Sequence, residues 1–317
     1  DPEARNTMQQ TLTLPEGTIA SRKADKRRAF FRRKVVPWLF VLPILSINIL
    51  VLAAPAFSSV YFSMTKWSGI GSAEWIGLAN YQALLADPGF HHAFMNNVLW
   101  LAMFLTVPIG MALIAASLLA PIRRGAIVFR LSLFIPYVLP SVVSAALWRS
   151  LFSPDRGIPA LLTDMGIPGF DKAFLGDSRT ALPAIAFIDN WHWWGFLMVL
   201  FLASMQNIPP DLYESARLDG ANRWQEFRDV TLPGIRPTIV FMILMTTIWS
   251  FLTFDYIWIL TQGGPARATE VLAVLVFKEA FRNFNAGYAA AIGLTMSFFV
   301  GCVIAGFQVL RRRGWEI

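Results

Sequence analysis

Long apolar runs dominate this chain, at roughly 36–62, 94–119, 126–151, 182–205, 236–260 and 287–310, with polar stretches between them. Each reaches the about 20 residues that a helix needs to cross the hydrocarbon core of a bilayer. The runs are apolar at consecutive positions rather than alternate ones, which disfavours a transmembrane barrel. Pro or Gly sits inside or near each run (among them Pro43, Pro55, Pro108, Pro136, Pro140, Pro183, Gly195 and Gly293). Spans tolerate these residues where neighbours satisfy the freed backbone groups. Ala54-Pro55-Ala56 in the first run looks like a signal-peptide cleavage site. That run is much longer than the about 7–15 apolar residues of a signal peptide, so it reads as a retained span. The pattern predicts an all-α membrane protein with six transmembrane helices.

Composition agrees. Of 317 residues, 56% are hydrophobic and only 15% charged, with a mean hydropathy of +0.52. A soluble domain of this length would expose far more charge. The 12 Trp and 26 Phe suit membrane interfaces and packed spans. The net charge of +7 comes from Lys and Arg placed beside the apolar runs, not gathered on a soluble face, so nucleic acid is not an expected partner. The single cysteine, Cys302, excludes an intrachain disulfide and is expected to be a small buried hydrophobe. Three histidines without clustered Cys or acidic ligands point to no metal site.

The basic residues orient the chain. Nineteen Lys and Arg lie before the first run, around the second-to-third and fourth-to-fifth connections, and after the sixth; seven lie in the other loops. The positive-inside rule then puts both termini and the 206–235 loop in the cytoplasm. Residues 1–34 form a basic cytoplasmic tail, whose charge serves orientation and attraction to anionic lipid. Met8 is a candidate native start, residues 1–7 being an upstream extension or a remnant. Residues 35–317 make up the transmembrane domain. Arg149, at the end of the third run, is expected to snorkel to the outer surface.

The 206–235 loop carries helix signals of its own. Pro209-Pro210 stops the fourth run, and Asp211 with Glu214 makes a capping-box pattern. A helix from about Leu212 to Asp219 is then ended by Gly220 in a left-handed conformation. Asn222 and Gln225 repeat the pattern, opening a second helix with Trp224, Phe227 and Val230 along one side, closed by Leu232-Pro233. Such half-apolar helices fit a groove in a cytoplasmic partner, or else a lid on the ends of the spans. The chain has no Gly-x-x-x-x-Gly-Lys loop and no Gly-Lys pair, so ATP chemistry would need a separate chain.

Polar residues interrupt two spans. Asp189-Asn190-Trp191-His192-Trp193-Trp194 lies in the outer half of the fourth run, and Asp255-Tyr256 in the fifth. Ionisable groups are costly in a membrane and commonly face a cavity or a partner. Asp189 and His192 share one helix face and could pair. Trp rings beside amide and carboxylate groups suit a sugar; the competing reading is an aromatic belt at the outer interface. Gly263-Gly264-Pro265 reads as a tight turn outside the fifth span.

The spacing Glu214-x-Ala216-x-x-x-Gly220-x9-Val230-x-Leu232-Pro233 resembles the cytoplasmic "EAA" loop of bacterial ABC-importer permeases, with Ser215 where the family usually has Ala. Thr261-Gln262-Gly263-Gly264-Pro265 with Thr269, and the segment Trp75-Ile76-Gly77-Leu78-Ala79-Asn80-Tyr81, resemble the maltose and glycerol-phosphate branch. So do Phe134-Ile135-Pro136 through Trp148, Pro154 and Gly157; the resemblance covers roughly 36–310.

It implies a type I ABC-importer permease fold in the bacterial inner membrane, in a subunit that is not itself an enzyme. The implied role is permease of an ATP-driven, binding-protein-dependent sugar importer. ATP and Mg would reside on a cytoplasmic ATPase dimer, and this chain would carry no cofactor. The other implied partners are a second, different permease and an external solute-binding protein. Glu214, Ser215, Ala216, Asp219, Gly220, Leu232 and Pro233 would couple to the ATPase: Glu214 by polar contact, Ala216 by close approach, Gly220 as the turn. Asp189, Asn190, Trp191, His192, Asp255 and Tyr256 are the candidate substrate residues. Thr261, Gly263, Gly264 and Pro265 would form an outer gate or a binding-protein contact. The alternatives are a permease for a non-sugar solute such as glycerol 3-phosphate, a secondary transporter using Asp189, His192 and Asp255, or a membrane enzyme or receptor-like scaffold, which no nucleophile–base set supports.

Overall fold

The computed structural model describes residues 31, 34, 36–122, 124–170 and 172–312. Most of the basic 1–34 tail, including Met8, lies outside them, as do Arg123 and Arg313. Backbone contacts divide the chain into two units, Asp1–Ser59 and Val60–Ile317.

The described part of the first unit belongs to helix α1, Val36–Ser63, which contains Pro43 and a π-helical turn at Ile49–Ala53. Its few polar side chains turn back onto their own backbone. Asn48 Nδ2 donates to Ile44 O and Ser59 Oγ to Pro55 O, both at 2.9 Å. An apolar solvent demands this, because it offers no water to satisfy them.

After the last turn of α1, the second unit continues with a two-strand ribbon, β1 (Thr65–Lys66) antiparallel to β2 (Glu74–Trp75), followed by α2 (Ala79–Ala86) and α3 (Pro88–Leu119). Asn80, buried at the start of α2, donates to Ser63 O and Thr65 O at 2.9 Å, fixing the Trp75–Tyr81 segment. Gly287 presses on the Thr65 carbonyl, leaving no room for a Cβ.

The third run is not one straight span. Helices α4 (Ala126–Val138) and α5 (Ser141–Leu151) meet at 97°. Leu139 is extended (φ −72, ψ 134) because a residue before proline, here Pro140, is sterically pushed out of the helical region. Among the described residues, five helices are thus long and apolar enough to cross a membrane, and six if the bent pair is one broken span. A short α6 (Ile158–Asp164) leads to α7 (Ala181–Met205), then α8 (Pro210–Leu218) and a helical stretch, α9, at 223–234. Next come α10 (Arg236–Leu252), α11 (Asp255–Leu260), α12 (Leu272–Phe277) and α13 (Ala286–Arg312).

The main core lies between α3 and α7, where Trp100, Phe104, Ala112 and Ala116 join Ile185, Leu197, Met198 and Phe201 in one buried cluster. Small residues let membrane helices approach closely, and Gly195 shows it most sharply. A Cβ there would run into the Leu133 carbonyl oxygen of α4. A second cluster joins α12 to α13 through Leu272, Leu275, Tyr288 and Ile292. Cys302, expected inside, is exposed on α13. In a span the outward face is as apolar as the core, so hydrophobicity alone does not say which way a side chain points.

Candidate functional site

The loop after α7 folds as two helices in a V. Pro209 occupies the cap position of α8 and Pro210 its first turn, so Asp211 lies inside the helix and makes no side-chain cap. The expected Asp211–Glu214 capping box is therefore absent, because the helix starts at Pro210, a residue suited to the first turn, and leaves Asp211 past the cap position. The other end of α8 closes as anticipated. Gly220 has φ +83, its N–H donates to Arg217 O at 3.0 Å, and Ala221 N–H donates to Ala216 O at 2.9 Å. These two bonds form a Schellman motif, which needs a residue tolerant of positive φ. The second capping box is present: Asn222 Oδ1 accepts from Trp224 N and Gln225 N at 3.0 Å, and Gln225 Oε1 accepts from Asn222 N at 2.8 Å. Leu232-Pro233 does not end α9 but forms its last turn, which breaks at Ile235.

Two contacts hold the V: Arg217 with Glu226 at 2.7 Å, and Tyr213 Oη with Thr231 Oγ1 at 3.0 Å. Hydrogen bonds from Arg228 hold Asp229 below the usual carboxylate range. Glu214, Ser215 and Asp219 are exposed on α8 and Ala216 is half-buried. Beside them the apolar side chains of Leu218 and Trp224 stand 89% and 64% exposed, outside any span. Exposed apolar side chains flanked by charge fit a protein groove better than water.

In the first half of α7, Asp189 and His192 line one cleft of about 330 Å³ with Asp255 and Tyr256, together with Tyr137, Ser141, Trp193, Trp249 and Phe254. Asp189 lies about 12 Å along α7 from its first residue. Four of the six expected residues thus meet. Asn190 and Trp191 do not: Asn190 is buried, and Trp191 packs edge-on against Trp148 of α5 at 5.4 Å. Among the described residues, Asp189 and His192 are joined by no hydrogen bond or ion pair, and His192 Nδ1 is buried without a partner. The i, i+3 spacing brings them to one cleft without pairing them. Arg149 is also not free in solvent; its guanidinium donates to the carbonyl oxygens of Ile259 and Leu260, at the end of α11.

The 261–270 segment is a compact loop with a cis Gly264–Pro265 bond. Thr261 and Thr269 share a hydroxyl contact at 2.7 Å, Thr269 Oγ1 donates to Gly264 O, and Gly263 takes φ +90. The sequence reading missed what lies behind it. Glu270 is only 2% exposed and is paired with Arg267 (2.6 Å) and Lys278. Asn96 Nδ2 donates to Glu270 O at 2.9 Å. Asn97 bridges α10 to α12, donating to Ser250 O at 3.0 Å and accepting from Leu272 N at 2.7 Å. The Asn pair inside an apolar run was the available signal, since polar residues buried in a span rarely lack partners. Glu270→Ala is expected to lower the melting temperature of the purified protein more than Glu270→Gln, at about 1–3 kcal/mol for a carboxylate whose cations are partly solvated. Equal melting of both variants and the parent would disprove a structural role for this ion cluster.

Five or six apolar helices of spanning length among the described residues, a helical loop between two of them and a polar cleft partway along α7 define a membrane-transport component. Residues 108–314 match the family described as the binding-protein-dependent transport system inner membrane component, and the chain belongs to that family. The chain is 36% identical to the probable ABC transporter permease protein YurN of Bacillus subtilis, covering 82% of this chain and 90% of that protein. It is 30% identical to the diacetylchitobiose uptake system permease protein NgcF of Streptomyces coelicolor, over 90% of this chain and 87% of the relative. Identity is also 30% with the sn-glycerol-3-phosphate transport system permease protein UgpA of Agrobacterium fabrum, over 88% and 94%. The fold is that of a bacterial alginate ABC transporter solved with a pentasaccharide-bound periplasmic protein: the TM-score is 0.79 at 21% identity, over 89% of this chain and 96% of that one. The protein is a multi-pass membrane permease of an ABC transport system.

Proposed function

We propose that this permease carries a saccharide into the cell, driven by a separate ATPase that seats on the Glu214–Pro233 loop. The observation that carries the reading is the exposed apolar surface of α8 and α9 beside Glu214, on a loop that membrane packing leaves uncovered. In this reading the loop and both termini face the cytoplasm. Glu214, Ser215 and Asp219 meet the ATPase through polar contacts, Ala216 allows close approach, and the Gly220 turn, with Leu232 and Pro233, sets the angle between the helices. A second permease completes the pathway, and an external binding protein delivers the solute to the face bearing Thr261, Gly263, Gly264 and Pro265. ATP hydrolysis stays on the partner; this chain binds, encloses and releases.

Rings and carboxylates in the Asp189–Asp255 cleft favour a sugar. Its C–H faces lie on Trp193 and Trp249 while its hydroxyls reach acceptors. Names of relatives point to both diacetylchitobiose and sn-glycerol 3-phosphate at equal identity, so kinship does not choose between them. In proteoliposomes holding the complete transporter, saccharide uptake is expected to require internal ATP and to survive collapse of the proton gradient. Uptake that follows the gradient without ATP would instead identify a secondary transporter acting through Asp189, His192 and Asp255.

A further inference from the structure

The cleft that this reading assigns to substrate has a distinctive charge balance. Two carboxylates, Asp189 and Asp255, line it, and among the described residues no Lys or Arg does. A smaller cavity of about 60 Å³ shares Asp189, Trp193 and Trp249 with it and adds Trp100, Phe104, Thr246 and Ser250. Thr246 is 1% exposed, and its hydroxyl has no partner among the described residues, leaving a buried hydrogen-bonding group at that wall. A buried hydroxyl without a partner is costly, and a hydroxylated ligand would satisfy it.

Cations near this half of the molecule are engaged elsewhere. Arg149 is bound to the α11 carbonyls, and Arg267 and Lys278 to Glu270. Arg282 donates to Gln262 Oε1 at 3.0 Å and lies over the Trp258 ring at 4.7 Å. Arg179 lines a separate groove with His92 and Met103. A phosphate or uronate entering the cleft would lose water, meet no guanidinium or ammonium among the described residues but only the His192 imidazole, and face two acidic side chains. Desolvating an anion beside like charge is strongly unfavourable. Hydroxyl and ammonium groups, in contrast, are donors, and the cleft is rich in acceptors: the two carboxylates and Ser141, whose hydroxyl donates to Asp255 Oδ2 at 3.4 Å.

We infer that this cleft selects neutral or amino-bearing saccharides and rejects phosphorylated and uronate ones. The inference rests on the sugar-transport reading above and adds a charge filter to it. Asp189 and Asp255 are its selectivity residues, and the Trp193 and Trp249 rings, whose faces are negative, favour an ammonium over an anion as well.

The test is saturation-transfer NMR on the permease–ATPase complex in nanodiscs without binding protein, which removes that protein's own preference. The probes are maltose, chitobiose, glycerol 3-phosphate and digalacturonate. Signals for maltose or chitobiose are expected to exceed those of both anions at least about tenfold. In Asp189→Asn/Asp255→Asn the anion signals should rise toward the neutral ones. Asp255→Asn alone, at an exposed position, gives the same readout in smaller measure if the double variant does not accumulate. An anion signal equal to the neutral one in the parent overturns the charge filter while leaving sugar transport standing, as does unchanged anion rejection in the variants. If no saccharide of any charge gives a signal, the sugar reading itself fails, and the filter with it.

Discussion

Gly220→Pro is expected to abolish ATP-driven uptake while leaving the protein inserted in the membrane at normal amounts. Proline fixes φ near −65° and lacks the N–H, whereas this position holds φ +83 and donates to Arg217 O. Both requirements fail together, so the Schellman closure of α8 is lost and the V formed with α9 opens. The surface contacts that remain, chiefly Arg217 with Glu226, are screened by solvent and cannot restore the angle. The spans are untouched, because nothing lies within 4 Å of where a side chain would project from Gly220. Gly220→Ala, which keeps the N–H, should cost only about 1–2 kcal/mol locally and retain part of the transport. Glu214→Lys leaves α8 intact yet reverses the charge at its exposed face, and should break co-purification with the ATPase. Uptake assays paired with quantitation of membrane-inserted protein check all three. Normal uptake in both Gly220→Pro and Glu214→Lys would remove the loop from the coupling route.

Gly195→Val is expected to have the opposite profile, with loss of folded protein rather than of coupling. Any Cβ at Gly195 meets the Leu133 carbonyl, a backbone atom that cannot swing aside as a side chain would. Overpacking of a core commonly costs about 1–3 kcal/mol, and pushing α4 off α7 adds the contacts of Tyr137 with Trp193 and Phe196. The measurement is the melting temperature and recovery of the detergent-solubilised protein. Gly195→Ala should show a smaller fall than Gly195→Val, and parent-like melting of Gly195→Val would refute the close approach.

Much of this architecture is written in the chain, and the residues that conceal it share a cause. The long apolar runs translate almost directly into spans because a bilayer imposes a length and forbids unsatisfied backbone. The Gly220 turn and the Asn222–Gln225 cap are local chemistry, decided within a few residues, and both emerge in the fold. The break at Leu139 was encoded by Pro140, but tolerance of proline in spans hid its consequence until the 97° bend was seen. Asp211 shows how a strong local signal yields to a stronger neighbour, the Pro209-Pro210 pair. Asn190, Trp191 and Cys302 illustrate the remaining difficulty. In water a polar or apolar side chain announces its side of the helix; inside a membrane both sides are apolar, and rotation about the axis is set by packing partners distant in sequence. The Asp189–Asp255 cleft and the Asn97 bridge are of that kind, each joining residues far apart in the chain.

That bridge has a mechanical corollary. One amide holds the Ser250 carbonyl near the end of α10 and the Leu272 amide at the start of α12, and both groups are sealed from water. Sliding one past the other would strand a buried donor and a buried acceptor, at about 1–3 kcal/mol each. The cheaper path keeps all three segments in register. The α10 edge of the cleft and the start of α12, just beyond the Gly-Gly-Pro loop, are thus geared to each other like two teeth on one wheel, so that a displacement imposed at the loop reaches that edge of the cleft as a single stroke.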